Sequence, residues 1–142
     1  KEIPNLNGIK FTSNNFMEMI ECIRFDGGRF DILNGFDEML LCGMAVGARG
    51  GVGSTYNYSL RTYQNIYDAF MAGDLEQARA AQQESVDIVH VIINHGGGIR
   101  GGKAIMKLVG IDCGDCRLPL APYTEAEIAR LDEELRAIGF KK

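Results

Sequence analysis

The stretch Gly8-Ile9-Lys10-Phe11-Thr12-Ser13 sets a lysine inside a short apolar, β-branched run, with a hydroxyl two places on. Read as a strand, Ile9 and Phe11 face one way while Lys10 and Thr12 face the other. An amine between buried neighbours is poorly solvated. Burial disfavours its charged form, and a neutral amine attacks carbonyl carbon. Lysine also serves on exposed edge strands, where its charge discourages aggregation. The hexapeptide alone admits both uses.

Two later stretches bring further polar chemistry. Asn34-Gly35-Phe36-Asp37-Glu38 stands at the C-terminal end of the next expected strand. Ligands of parallel α/β folds collect at that end, and a glycine for close approach beside two carboxylates suits hydrogen bonding to hydroxyls. A turn leading into an acidic helix start accounts for the same residues equally well. In the run from Gly47 to Asn57, glycines end a strand beside the Ser54 hydroxyl and a helix start. Backbone N–H groups left there suit an anion or a polar ligand.

Other motifs carry less. Gly97 to Lys103 fits G-x-x-x-x-G-K, but Ala104 replaces the hydroxyl that would hold magnesium, and a helix precedes it where a phosphate loop requires a strand. Cys113-Gly-Asp-Cys116 is C-x-x-C with no second pair and no thioredoxin-like context. His90 and His95 lie five apart, a spacing that does not put two imidazoles on one helix face. All four residues are expected to be structural.

The elements that must position these groups alternate. Strands are expected at 8–13, 30–34 and 48–54, and helices at 14–25, 37–44 and 58–71. Alternation of this kind implies right-handed βαβ units and a parallel sheet. After Gly73 the pattern is helical only. Asp74 caps a segment reaching Asn94, with Leu75, Ala78, Ala81, Val86, Val89 and Ile93 among its apolar positions. A glycine-rich break from Gly96 to Gly102 precedes a helix at 103–109, and Thr124-Glu125-Ala126-Glu127 is a capping box for a last helix.

The 142 residues are 46% hydrophobic and 24% charged, ordinary for one globular domain. A net charge of -4 and a pI near 5.2 argue against a nucleic-acid or anionic-membrane binder. No apolar run approaches the ~20 residues of a membrane span, and the N-terminus lacks a signal-peptide pattern. Cys22 and Cys42 sit in apolar helical patterns as small hydrophobes, so a reducing, cytoplasmic compartment is expected. Three parallel strands cannot close a sheet, whereas a (β/α)8 barrel takes about 250 residues. Either the chain forms a small open sheet, or it is the C-terminal part of something larger.

In this order and at successive strand ends, G-I-K-F-T, F-D-I-L-N-G-F-D-E and A-R-G-G-V-G-S-T-Y-N resemble the N-acetylneuraminate lyases (sialic acid aldolases). These belong to the dihydrodipicolinate synthase superfamily of class I aldolases. K-A-I-M at Lys103 to Met106 and R-L-P-L at Arg117 to Leu120 extend the likeness over nearly the whole chain. The resemblance implies an α/β fold, the C-terminal part of a (β/α)8 TIM barrel (strands 6–8) followed by extra C-terminal helices. Residues 1–72 would be the barrel units and 73–142 the helical extension.

By the same resemblance Lys10 is the Schiff-base lysine. Thr12, Gly35, Asp37, Glu38 and Ser54 would hold the polyhydroxyl tail, and Gly53 would give backbone access. The implied reaction cleaves N-acetylneuraminate to pyruvate and N-acetylmannosamine with no metal or organic cofactor. The implied partners are the small-molecule substrate, the N-terminal part of the same barrel, and further copies in a homotetramer. The carboxylate-binding G-T-T-G-E-like turn of these enzymes is absent here, and none of Tyr56, Tyr58, Tyr63, Tyr67 or Tyr123 stands in the context of their proton-relay tyrosine. A sister aldolase acting on another 2-oxo acid, or a non-catalytic half-barrel that needs its N-terminal complement, are the alternatives.

Overall fold

Alternating side chains in β1 (Gly8–Phe11) and β2 (Asp31–Asn34) give the sheet two faces. The computed structural model describes residues 3–140; residues 1, 2, 141 and 142, the outer ends of the two portions expected from sequence, lie outside the described residues. The strands are parallel, in a register running from Gly8 with Asp31 to Phe11 with Asn34. Ile32 is buried with Ala48 and with Met19 of α1 (Phe16–Arg24), so it faces the helices. Leu33 and its register partner Lys10 therefore turn to the opposite face.

The strand expected over 48–54 shrinks to one parallel bridge, Asn34 with Gly51. Asn34 N–H donates to the Gly50 carbonyl at 2.9 Å, and Val52 N–H donates to the Asn34 carbonyl at 2.9 Å. Glycine offers no side chain to pack and loses more backbone freedom on ordering, which shortens the strand. The three segments still lie side by side with β2 in the middle.

The helices follow local capping and packing. Asn15 accepts the Glu18 N–H at the start of α1. The helix expected over 37–44 opens as a 3₁₀ turn, Asp37–Met39, and continues as α2 (Leu40–Ala45). α3 (Tyr56–Met71) starts earlier than expected. Asp74 caps α4 (Leu75–Asn94) through the Gln77 N–H at 3.0 Å. The expected apolar stripe of α4 shares only Ala78 and Ala81 with the buried one, which continues through Ser85, Ile88 and Ile92. Ser85 is drawn inward by Gln82, whose amide donates to its hydroxyl, while Ile93 is left 61% exposed.

The glycine-rich break expected from Gly96 to Gly102 is confined to Gly96, and α5 runs from Gly97 to Leu108. Glycine costs a helix about 1 kcal/mol per residue. Here it permits close packing, because a Cβ at Gly101 would stand 3.2 Å from Ile92 Cγ2. The capping box of α6 (Glu125–Ala137) forms as expected between Thr124 and Glu127. Arg100 lies over the Tyr123 ring at 3.8 Å and pairs with Glu127 at 2.9 Å, so α5 and α6 are stapled at their N-terminal ends. Of the first two cysteines, only Cys22 packs into a core; Cys42 is exposed.

Ile88, Val91 and Ile92 of α4 bury against Ala104 and Ile105 of α5 and Leu131 and Leu135 of α6. Ile105 is fully buried. Truncating it leaves a cavity, so Ile105→Ala should cost about 2–5 kcal/mol in a urea titration. A loss below about 1 kcal/mol would mean that the helical layer does not depend on this contact.

Candidate active site

The end of β2 carries the residues that matter most. Gly35 N–H donates to the Phe11 carbonyl at 2.8 Å, which carries the parallel pairing one residue past the strand. A Cβ at Gly35 would overlap the Thr12 hydroxyl and stand 3.0 Å from Lys10 Cε. Lys10, Thr12 and Gly35 thus share one patch on the face away from α1. Asn34 Nδ2 donates to the Phe36 carbonyl at 2.5 Å and fixes the turn into Asp37.

Lys10, Gly35, Asp37, Glu38, Gly53 and Ser54 line one cleft of about 210 Å³. Thr12 is exposed and stands beside this cleft against Gly35, outside its lining. The opposite wall comes from the helical region after Gly73. Val89, Ile92 and Ile93 of α4 and Gly98 of α5 close that side. Their apolar alternation was legible, but nothing local in the sequence says that the helix passes over the strand ends.

Lys10 itself is exposed and Ile9 is 42% exposed, contrary to the burial expected on both sides of the lysine. Among the described residues β1 pairs on one edge only, with β2, and no strand pairs with its other edge.

Asp37 is the buried charge of the cleft, 6% exposed. Its Oδ2 accepts the Thr55 N–H at 3.0 Å and the Thr55 hydroxyl at 2.5 Å. Its Oδ1 is buried with no hydrogen-bond partner among the described residues. A Cβ at Gly53 would overlap this carboxylate, so the glycine is required by close approach. The Thr55 hydroxyl also lies 2.6 Å from the Tyr63 hydroxyl. From α4, Gln82 accepts the Leu41 N–H at 2.8 Å and donates to the Asp37 carbonyl at 3.4 Å, which ties the 3₁₀ turn to that helix.

Three tyrosines surround the acid. Burial, reinforced by the Asp37 charge, raises the pKa of Tyr56 and Tyr63 well above the ordinary phenol value. Burial likewise pushes Tyr58 up to about 12. These phenols are neutral at physiological pH and available as hydrogen-bond groups.

Two residues of the competing motifs, Lys103 and His95, are engaged in holding neighbouring segments. The G-x-x-x-x-G-K run lies within α5 apart from its helical packing role and forms no phosphate loop. Lys103 Nζ donates to the carbonyls of Cys113, Gly114 and Asp115 at 3.0, 3.3 and 2.9 Å, holding that loop. His95 Nε2 pairs with Glu134 at 3.0 Å, and its carbonyl accepts the Tyr123 hydroxyl. All four cysteines are free thiols, and among the described residues no cluster of three or more His, Cys, Asp or Glu could hold a metal ion. No helix among them is long and apolar enough to cross a membrane.

A parallel α/β sheet with a lysine, two carboxylates and a hydroxyl gathered at its strand ends defines the class: an α/β protein with its site at the C-terminal end of the sheet. The dihydrodipicolinate synthetase family matches residues 1–138, and the chain belongs to that family. It is 36% identical to the N-acetylneuraminate lyase of Mus musculus over 141 residues, 98% of this chain and 44% of that protein. In structure it is similar to Proteus mirabilis N-acetylneuraminate lyase, with a TM-score of 0.91 and 38% identity over 98% of this chain and 47% of that one. It is also similar to N-acetylneuraminate lyase from Fusobacterium nucleatum complexed with pyruvate, with a TM-score of 0.82 and 30% identity over 96% and 46%. The chain spans under half the length of these proteins, consistent with part of a barrel.

A buried phenol with a raised pKa binds its proton more tightly in the folded state. Between the ordinary value of 10.0 and about 12 the folded protein therefore carries more protons than the unfolded chain. Stability should be intact below pH 10 and fall as pH rises to 12, and Tyr58→Phe should flatten that fall. Urea titrations across this range check it, and a slope unchanged in the variant would rule out Tyr58 as a source.

Proposed function

We propose that the chain carries the nucleophile and the sugar-tail half of an N-acetylneuraminate lyase, with its three parallel segments as strands six to eight of a (β/α)8 barrel. The observation that supports this reading most is the common cleft of Lys10, Asp37, Glu38 and Ser54, reached from β1, the end of β2 and the segment bridged beside it. The similarity to proteins named for that activity supports it independently.

In this reading the Lys10 amine adds to the C2 carbonyl of the open-chain sugar acid, and loss of water gives a protonated imine. The iminium accepts the electron pair released when C3–C4 breaks, and the C4 hydroxyl proton leaves as N-acetylmannosamine forms. The enamine is then protonated at C3, and water releases pyruvate and restores the amine. Asp37, Glu38 and Ser54, with the backbone at Gly35 and Gly53 and the Thr12 hydroxyl beside them, hold the polyhydroxyl tail. Carboxylates accept hydrogen bonds from neutral hydroxyls and repel phosphate, which favours a polyol. The carboxylate clamp and the proton relay fall to the N-terminal part of the barrel. The free thiols suit a reducing, cytoplasmic setting.

Borohydride reduction in the presence of pyruvate should leave a stable adduct on Lys10, located by peptide mapping. Lys10→Arg should abolish adduct and turnover, because a guanidinium stays protonated and is no nucleophile. An adduct on Lys103 with Lys10 unmodified would overturn the assignment.

A further inference from the structure

Outside the residues already given roles, the strongest unexplained feature is the buried polar chain behind Asp37. Thr55 is 3% exposed and Tyr63 is 2% exposed, deeper than a surface cap requires. Thr55 gives both its N–H and its hydroxyl to the same carboxylate oxygen, Oδ2. The other oxygen, Oδ1, is buried against Gly53 with no hydrogen-bond partner among the described residues, in a side chain that lines the cleft. A buried acceptor without a partner is costly, and the arrangement is retained only if something completes it.

We propose that Thr55 is a positioning residue: with Tyr63 behind it, it fixes one oxygen of Asp37 so that the other is presented to a ligand hydroxyl. The assignment of that hydroxyl to the sugar tail rests on the function proposed above. Three geometric facts make the device directional. The carboxylate sits against Gly53, where a Cβ would overlap Oδ1, so the missing side chain is what leaves that oxygen its place. Two donors from one residue hold Oδ2 and set the plane of the group. The Tyr63 hydroxyl, 2.6 Å from the Thr55 hydroxyl, fixes the threonine rotamer in turn. Tyr63 belongs to the core of α2, α3 and α4, packing with Leu40, Met44, Ile66 and Ala81. The acid is thus referenced to the helical layer.

The test uses Thr55→Val, which keeps the shape and the backbone N–H but removes the hydroxyl, with Thr55→Ser as the conservative variant, both in the full protein. Thr55→Val should raise KM for the sugar acid by about ten- to a hundredfold, as expected for losing a hydrogen bond to a charged group. Its borohydride-trapped pyruvate adduct on Lys10 should form as in the wild type, and Thr55→Ser should restore KM. Tyr63→Phe should shift KM in the same direction by less. In an Asp37→Asn background Thr55→Val should add little, since the two act through one group. An unchanged KM in Thr55→Val, or equal loss of adduct formation and tail binding, overturns the proposal. If Thr55→Val does not fold, the KM of Tyr63→Phe decides, and no change there overturns it. If the wild type neither traps pyruvate nor cleaves the sugar acid, the proposed function fails. Crystal structures of wild type and Thr55→Val then decide the positioning alone, by whether the Asp37 carboxylate turns; an unmoved carboxylate sinks it.

Discussion

Asn34 is the residue on which the site depends. It pairs with Phe11 on one side and with Gly51 on the other, so the last position of β2 holds both neighbouring segments at once. Its side chain, 3% exposed, must be satisfied inside the protein and is satisfied by the Phe36 carbonyl. A Cβ at Gly43 would stand 2.6 Å from Asn34 Oδ1, so α2 approaches closely only because residue 43 is glycine. Backbone pairing thus sets where Lys10, Gly35 and Ser54 begin, and the side chain sets where the chain turns toward Asp37. A different side chain at 34 would release the turn while leaving the pairing intact.

The second constraint is the charge that this turn buries. A carboxylate taken out of water costs several kcal/mol unless hydrogen bonds replace its hydration. Thr55 replaces part of it, and the neutral phenols nearby add no opposing charge. Gln82 then fixes the backbone of the same turn from α4. Residues beyond Gly73 are therefore not an appendage to the sheet. They form one wall of the cleft and hold one of its acids from behind.

Much of this was legible in the sequence where the signal is local. Alternation in G-I-K-F and D-I-L-N gives strands, Asp74 and the Thr124–Glu127 box give helix starts, and both appear where expected. What failed was set by tertiary packing. The run Gly97–Gly102 has the composition of a loop, yet Ile92 and Tyr58 pack on Gly101 and Gly102 and make it helix. The stretch 48–54 has the neighbours of a strand but too little side chain to extend one. The buried face of α4 differs from the expected one because Ser85, a polar residue, is at 0% exposure the most buried of its stripe alongside Ala78, and no hydrophobic count would choose it. Thr55 was visible only as part of a motif. Its role follows from the acid eighteen residues earlier, a contact that periodicity cannot reveal.

The polarity of the cleft also limits how a sugar acid bound as proposed can lie in it. Asp37 and Glu38 stand at one end and are acceptors only when ionised, so they attract hydroxyl donors and repel the ligand's own carboxylate. On the α4 side the lining is Val89, Ile92 and Ile93, which offers that carboxylate no donor. Lys10 must keep its nitrogen for C2. On the proposed reading the tail would run from the lysine toward Asp37 and Glu38, with the bond to be broken between them. Imine formation at Lys10 and tail recognition at Asp37 would, on that reading, be separate, so substitutions at the acids would alter which sugar is cleaved without altering how the imine forms.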